Sequence, residues 1–283
     1  MKLAFYTYPK GWPWPNSWRR LKRSWHQYES GKVLQQGMRF SGTGDIVIGK
    51  YNKPCNAKVA IIWSWKQLQV IAAQQTQGNH LLVLERGFIQ PRNDWVSLSW
   101  DGFNGRGYFP KAPDSGQRFE KYFSHHLKPW RKPSGNRALL IGQVPGDASL
   151  EGADMHCWLQ DTVQKLKAMG ASIIFRPHPN AQTATPEGAV LASGSLQQAF
   201  DNCDFVVTFS STTAVEAVLA GIPTVIFSDG SVAAPMGSRS LDEPLKYPDR
   251  TQWCHDLAWR QWTLHELADG SAWRHAVQYL ANS

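Results

Sequence analysis

Between Arg137 and Phe227, short apolar runs alternate with helical segments, and no other feature of the chain constrains its fold as much. Arg137–Val144 reads as a strand, and Met155–Met169 as an amphipathic helix stopped by Gly170. Ser172–Phe175 is the next strand, Ser195–Asn202 a short helix and Phe205–Phe209 a strand. Thr212–Ala220 is a helix ended by Gly221, and Thr224–Phe227 closes the series as a strand. Continuous apolar runs of this length suit strands buried on both faces of a parallel sheet. The pattern predicts a doubly wound, Rossmann-like α/β domain with ligands at the carboxyl ends of its strands.

The first half repeats the pattern more faintly. Leu3–Tyr8, Asp45–Ile48, Val59–Trp63 and Leu81–Leu84 read as strands, and Trp65–Gln75 has helical spacing between two of them. Lys128–Asn136, rich in Pro, Gly and charge, reads as a linker. Two domains are therefore expected, residues 1–133 and 137–283, the second closed by helices over Thr251–Ala268 and Ala272–Ala281. Two Rossmann-like domains with a cleft between them and C-terminal helices make a GT-B architecture. Ser228–Pro244, rich in Gly, Ser, Ala and Pro, is expected to be a mobile surface loop.

Charge separates the halves. Residues 1–136 carry 21 Lys+Arg against 7 Asp+Glu, a balance of +14, whereas residues 137–283 carry 9 against 15, or −6. Nine of the 14 tryptophans also lie in the first half. Such a basic half suits a polyanion or an anionic membrane surface, and the plain alternative is a solvated basic face. Cys55, Cys157, Cys203 and Cys254 are scattered without a CxxC pair, which argues against a disulfide framework or a zinc site and for a reducing cytoplasm. The first residues read as a strand rather than a signal peptide, and no apolar run is long enough for a membrane span.

Candidate chemistry lies at the strand ends. Arg176-Pro177-His178-Pro179 holds two cations in a rigid turn suited to a phosphate, although a plain strand-exit turn has the same composition. Ser210, Ser211, Thr212 and Thr213 join a strand to a helix N-terminus, where N–H groups and hydroxyls can hold a phosphate, with Glu216 one turn on for a ribose. Capping alone explains one hydroxyl, not four. No GxGxxG or Walker sequence occurs, which disfavours a dinucleotide or an ATPase. Gln143 and Asp147 lie at the end of the first strand of the second half, in a stretch that a tight turn capped by Asp147 would equally explain. Glu85 ends a strand of the first half, and a carboxylate pair of Glu85 and Asp147 suits displacement at an anomeric carbon. A salt bridge of Glu85 to Arg86 or Arg92 is the competing role.

Leu84-Glu85-Arg86-Gly87-Phe88-Ile89, Ser97-Leu98-Ser99-Trp100-Asp101, Gln143 through Ser149, Arg176 through Pro179 and Ser210 through Glu216 resemble, in order, the motif set of the capsule-polysaccharide β-Kdo transferases. Those are retaining GT-B glycosyltransferases, and the resemblance spans about Leu81 to Phe227. It implies a nucleotide-sugar donor with its phosphate on His178 and the Ser210–Thr213 turn, Asp147 as nucleophile, Glu85 as acid/base and Asp101 within the catalytic set. Arg86 stands where the family carries an acid, and the Asp101–Gly107 string is similar to compact, phage-associated members. That similarity favours 5-hydroxymethylpyrimidine in DNA as the acceptor. Trp12, Trp14, Arg19 and Arg20, with Trp18, Trp25 and neighbouring lysines, would stack and neutralise such an acceptor, and Arg86, Arg92, Asn104 and Arg106 complete the acceptor set. The alternatives are a Kdo-type transferase acting on surface polysaccharide or glycolipid, and a non-catalytic nucleic-acid-binding protein. The absence of a compact Asp-x-Asp pair predicts no metal, and no cofactor beyond the nucleotide sugar is expected.

Overall fold

The computed structural model describes residues 1–10 and 18–281, and of residues 8–10 and 18–25 the backbone alone. In chain order the elements begin β1 (Leu3–Lys10), α1 (Trp18–Phe40), β2 (Ile46–Lys50), β3 (Val59–Trp63), α2 (Leu68–Thr76), β4 (His80–Arg86), β5 (Val96–Trp100) and α3 (Gln117–Phe123). There follow β6 (Arg137–Ile141), α4 (Met155–Ala168), β7 (Ser172–Arg176), β8 (Val190–Leu191), α5 (Leu196–Asp201), β9 (Phe205–Thr208), α6 (Thr213–Leu219) and β10 (Thr224–Ile226). The chain ends in α7 (Thr251–Trp259), β11 (Gln261–Trp262), α8 (Leu264–Ala268) and α9 (Ser271–Ala276). Contacts divide these into two units: residues 1–103, 107–119 and the chain from Trp253 on, and residues 104–106 with 120–252.

In the first unit the sheet order is β11-β5-β4-β3-β1-β2, with β1 to β4 parallel, β5 antiparallel to β4 and β11 antiparallel to β5. Alternate residues share a face, so Leu3, Phe5, Val59, Ile61, Leu82, Leu84, Leu98 and Trp100 form one core with Leu34 and Met38 of α1. The same core takes in Leu267 of α8 and Trp273 of α9. The C-terminal helices, expected with the second domain, thus belong to the first. Trp100 Nε1 donates to Ala276 O at 2.8 Å and Trp273 Nε1 to Thr43 Oγ1 at 2.6 Å. The single helix expected over Thr251–Ala268 is broken. Gln261 and Trp262 pair with Ser97 and Val96 of β5, and Thr263 with Glu266 forms a capping box that opens α8.

Helix α1 passes α8 at Gly37, where a Cβ would stand 2.0 Å from Leu267 O and 2.8 Å from Gly270 N. Both are backbone atoms, so Gly37→Ala must push the helices apart. Overpacking of this kind costs about 1–3 kcal/mol, more than the helix propensity gained by alanine, about 1 kcal/mol at most. Urea unfolding of Gly37→Ala is expected to show a lowered midpoint, and an equal or higher midpoint would deny the close approach.

The second unit is an all-parallel sheet in the order β10-β9-β6-β7-β8. Ala138 and Leu140 of β6 face Met155, Leu159, Val163 and Leu166 of α4, while Leu139 and Ile141 face Ala199, Phe200 and Ala217 of α5 and α6. Both faces are covered, as the unbroken apolar runs require. The chain winds outward from β6 through β7 and β8, then returns to lay β9 on the other side. That reversal opens a topological switch point at the carboxyl ends of β6 and β9.

Two further expectations change. Lys128–Asn136 is a strap bound to the second unit rather than a linker: Lys128 N donates to Leu219 O at 2.8 Å and Arg131 N to Gly221 O at 2.7 Å. The buried Asp204 carboxylate gathers the N–H groups of Ser134, Gly135 and Arg137 at 2.9–3.1 Å. Burial pushes its pKa up, but these donors and the Arg137 side chain outweigh it and hold the group at about 2. The Ser228–Pro244 segment is largely buried from Ser228 to Ser238, with Ile226 N bonded to Ser238 O and Ser238 N to Thr224 O. Its Val232, Ala233, Ala234 and Met236 fill the interior, which composition alone did not distinguish from a loop.

Candidate active site

At the switch point the exits of β6 and β9 are locked together by one buried side chain. Gln143 Oε1 accepts the Ser210 N–H at 2.7 Å, and its Nε2 donates to Ser210 Oγ at 2.9 Å. Ser210 Oγ in turn donates to Ser149 O at 3.0 Å. Ser149 donates both its N–H, at 3.0 Å, and its hydroxyl, at 2.8 Å, to Asp147 Oδ1. Asp147 is exposed and opens the short 3-10 turn Ala148–Leu150. Its cap is the role that a tight turn predicted, and the cap holds the carboxylate by one oxygen, Oδ1, on a residue that is exposed. Fixing a carboxylate by one oxygen leaves the second for chemistry.

Gln143 and Ser210 were expected on the donor. Both are instead interior braces, less than a tenth exposed, with their polar atoms bonded inside the protein. The rest of the hydroxyl turn is half-buried at the edge. Ser211 Oγ accepts the Thr213 N–H at 3.2 Å and Ser211 N donates to Thr208 Oγ1 at 3.3 Å. Thr212 is the N-cap residue of α6, with Glu216 in the first turn of that helix. Ser149 and Thr208 are the residues the sequence reading missed. Ser149→Ala leaves the Asp147 oxygen with one donor, and under the nucleophile role that the family resemblance implies for Asp147 the loss of orientation is expected to lower turnover by about tenfold to a hundredfold. Steady-state kinetics check this, with nucleotide affinity expected to stay unchanged.

Beyond β7, His178 Nδ1 accepts the Asn180 N–H at 3.1 Å, so a neutral imidazole carries its proton on Nε2. Arg176 lies on the same exit, and its Nη1 donates to Gly194 O at 3.1 Å. Among the described residues no group of three or more His, Cys, Asp or Glu is placed to hold a metal ion. No helix among them is long and apolar enough to cross a membrane.

In the first unit Glu85 and Arg86 end β4, both half-buried, with Glu85 opposite Ser97 and Arg86 opposite Val96 of β5. Arg92 Nε donates to Gly87 O at 2.6 Å and braces the turn that follows β4. Asp101 follows β5, beside the start of β4. Its Oδ1 accepts the Leu81 N–H at 2.7 Å, and its Oδ2 meets His80 Nδ1 at 2.8 Å and the Tyr279 hydroxyl at 3.0 Å. The antiparallel return of β5 carries Asp101 away from Glu85 and into a structural clasp. Trp12 and Trp14 lie outside the described residues, and Arg19 and Arg20 fall in α1, described by backbone alone. Asn104 and Arg106, expected on the acceptor side, pack with the second unit, where Gly105 N donates to Gly230 O at 2.9 Å.

Solved structures share this architecture. Thermosulfurimonas dismutans KpsC, beta Kdo 2,4 transferase, matches with a TM-score of 0.55 and 16% identity, over 80% of this chain and 87% of that one. The beta Kdo 2,7 transferase of KpsC from the same organism matches at 0.54 and 13% identity, over 92% and 91%. At such identities the likeness establishes the fold, an α/β architecture of two mainly parallel sheet units like that of KpsC. Residues 177–242 match a family model described as "Putative glycosyltransferase (DUF6716)". That span takes in the His178 turn, Ser211–Thr213, Glu216 and the loop after β10. No curated protein matches the chain.

Proposed function

We propose that the protein is a glycosyltransferase that moves a sugar from a nucleotide donor to a hydroxyl of a polysaccharide or glycolipid, with retention. The observation that carries the reading is the Asp147 carboxylate, held by Ser149 through one oxygen at the switch point beside the Ser211–Thr213 turn. Asp147 attacks the anomeric carbon as the bond from that carbon to the donor phosphate breaks. The departing phosphate oxygens meet the Nε2–H of His178 and the hydroxyls of the turn. An acceptor hydroxyl then attacks the same carbon, gives its proton to Glu85, and releases Asp147. Two displacements retain the configuration.

A saccharide acceptor is preferred to DNA because the matched structures are named as Kdo transferases. The DNA reading leaned on Trp12 and Trp14, which lie outside the described residues, and on Asn104 and Arg106, which pack with the second unit. The +14 of residues 1–136 suits an anionic saccharide or a membrane surface as well as it suits nucleic acid. Incubation with a panel of nucleotide sugars, offering anionic oligosaccharides in one arm and hydroxymethylated duplex DNA in another, tests this by product mass. The expected product is a lengthened saccharide. A glycosylated nucleoside with no saccharide product would reverse the acceptor, and no turnover with any donor would refute the activity.

A further inference from the structure

We infer that Arg106 binds an oxyanion of the sugar donor, an assignment that rests on the glycosyltransferase reading. Arg106 ends the short turn Asn104–Arg106, which is pinned to the loop after β10. Gly105 N donates to Gly230 O at 2.9 Å, and a Cβ at Gly105 would stand 2.6 Å from Ser231 O. From there Arg106 Nη2 donates to Ser228 Oγ at 3.0 Å and to the Glu151 carboxylate. Ser228 follows β10, and Glu151 follows the Asp147–Leu150 turn that leaves β6. Between β10 and β6 lies β9, whose exit carries Ser210–Thr213. The guanidinium therefore joins strand exits on either side of the hydroxyl turn.

Two details indicate that its present partners are incomplete. Arg106 Nη1 is buried without a hydrogen-bond partner, a cost that native interiors rarely leave standing. The ion-pair partner is also weakly held, since the Glu151 side chain is 57% exposed against 27% for Arg106. Solvent-exposed pairs contribute little, and a phosphate or carboxylate presenting two oxygens to the guanidinium fork competes well. Gly230 shapes the seat. A Cβ there would lie 2.1 Å from Arg106 Nη1, and the three atoms nearest to it all belong to that guanidinium. The oxyanion is the phosphate next to the sugar or the carboxylate of an acidic sugar.

Four variants of the full chain test the assignment: Arg106→Gln, Arg106→Lys, Gly230→Ala, which displaces the guanidinium without removing it, and His178→Ala as the donor-site control. Calorimetry with a panel of nucleoside mono- and diphosphates is paired with the donor KM of whichever nucleotide sugar turns over. Arg106→Gln and Gly230→Ala are expected to weaken donor binding by about tenfold or more, with unfolding midpoints unchanged and Arg106→Lys intermediate. Weakened binding of the bare nucleotide identifies the phosphate, and a raised donor KM with unchanged nucleotide affinity identifies the sugar carboxylate. If His178→Ala weakens binding and neither Arg106→Gln nor Gly230→Ala does, the Arg106 assignment is wrong. If none of these three does, or no nucleotide binds the wild type, the donor-site reading fails with it.

Discussion

Asp147→Asn is expected to abolish sugar transfer while leaving the protein folded and able to bind nucleotide. A covalent step has no substitute once its nucleophile is gone, so kcat should fall by at least about a thousandfold. Folding should survive because Asp147 is exposed and its contacts in the fold are local, to Ser149 and the turn it opens. Steady-state turnover and nucleotide binding on the same preparation separate the two effects. A variant with near wild-type turnover would remove Asp147 from the chemistry and return it to the role of a turn cap.

Arg118→Ala should produce the largest loss of stability. The Arg118 side chain is 7% exposed and makes two bonds to the Glu266 carboxylate, along with donations to Ala258 O at 2.8 Å and Gln261 O at 2.9 Å. Its guanidinium lies 4.6 Å from the Trp262 ring centroid and 5.0 Å from that of Trp259. Removing it strands a mostly buried carboxylate and two carbonyls, and breaking such a pair costs about 3–5 kcal/mol. Burial pushes the Glu266 pKa up, but the bonds and charge of Arg118 and the donors of Thr263 outweigh it, so the net shift is downward. The stability from this shift is complete above the ordinary carboxylate range and is lost as pH falls through the lowered folded value. Urea unfolding should therefore show the wild type losing more stability on acidification than Glu266→Gln. Equal midpoints for wild type and Arg118→Ala at neutral pH would refute the account of this core.

The second unit was legible because its strands are buried on both faces, and a run such as Ala138–Ile141 leaves few other readings. The first unit was not. Helix α1 buries Leu34, Met38 and the hydrogen of Gly37 rather than a broad apolar stripe, so its periodicity is weak. Strand β5 alternates Val, Ser, Leu, Ser, Trp, which reads as one face wet, yet all five residues are buried. The Ser99 hydroxyl is satisfied inside, donating to Gly102 O at 2.7 Å. The return of the C-terminal helices to the first sheet depends on β11 pairing with β5, a contact between distant segments that local pattern does not encode. The run of hydroxyls lies at the exit of β9, as the strand-to-helix pattern predicts. Its roles were not readable, because only depth distinguishes Ser210, a buried brace, from Ser211–Thr213 at the edge.

Intact mass of the Glu85→Gln variant, incubated with a turning-over donor and no acceptor, tests the central claim most directly. A carboxylate nucleophile whose acid/base partner is missing should accumulate a covalent adduct. The expected result is a gain of one sugar residue, located by peptide mapping to the segment containing Asp147 and absent from the Glu85→Gln/Asp147→Asn double variant. Release of nucleotide and transfer of sugar by the wild type, with no adduct in Glu85→Gln or with one mapped elsewhere, would contradict the double displacement on Asp147.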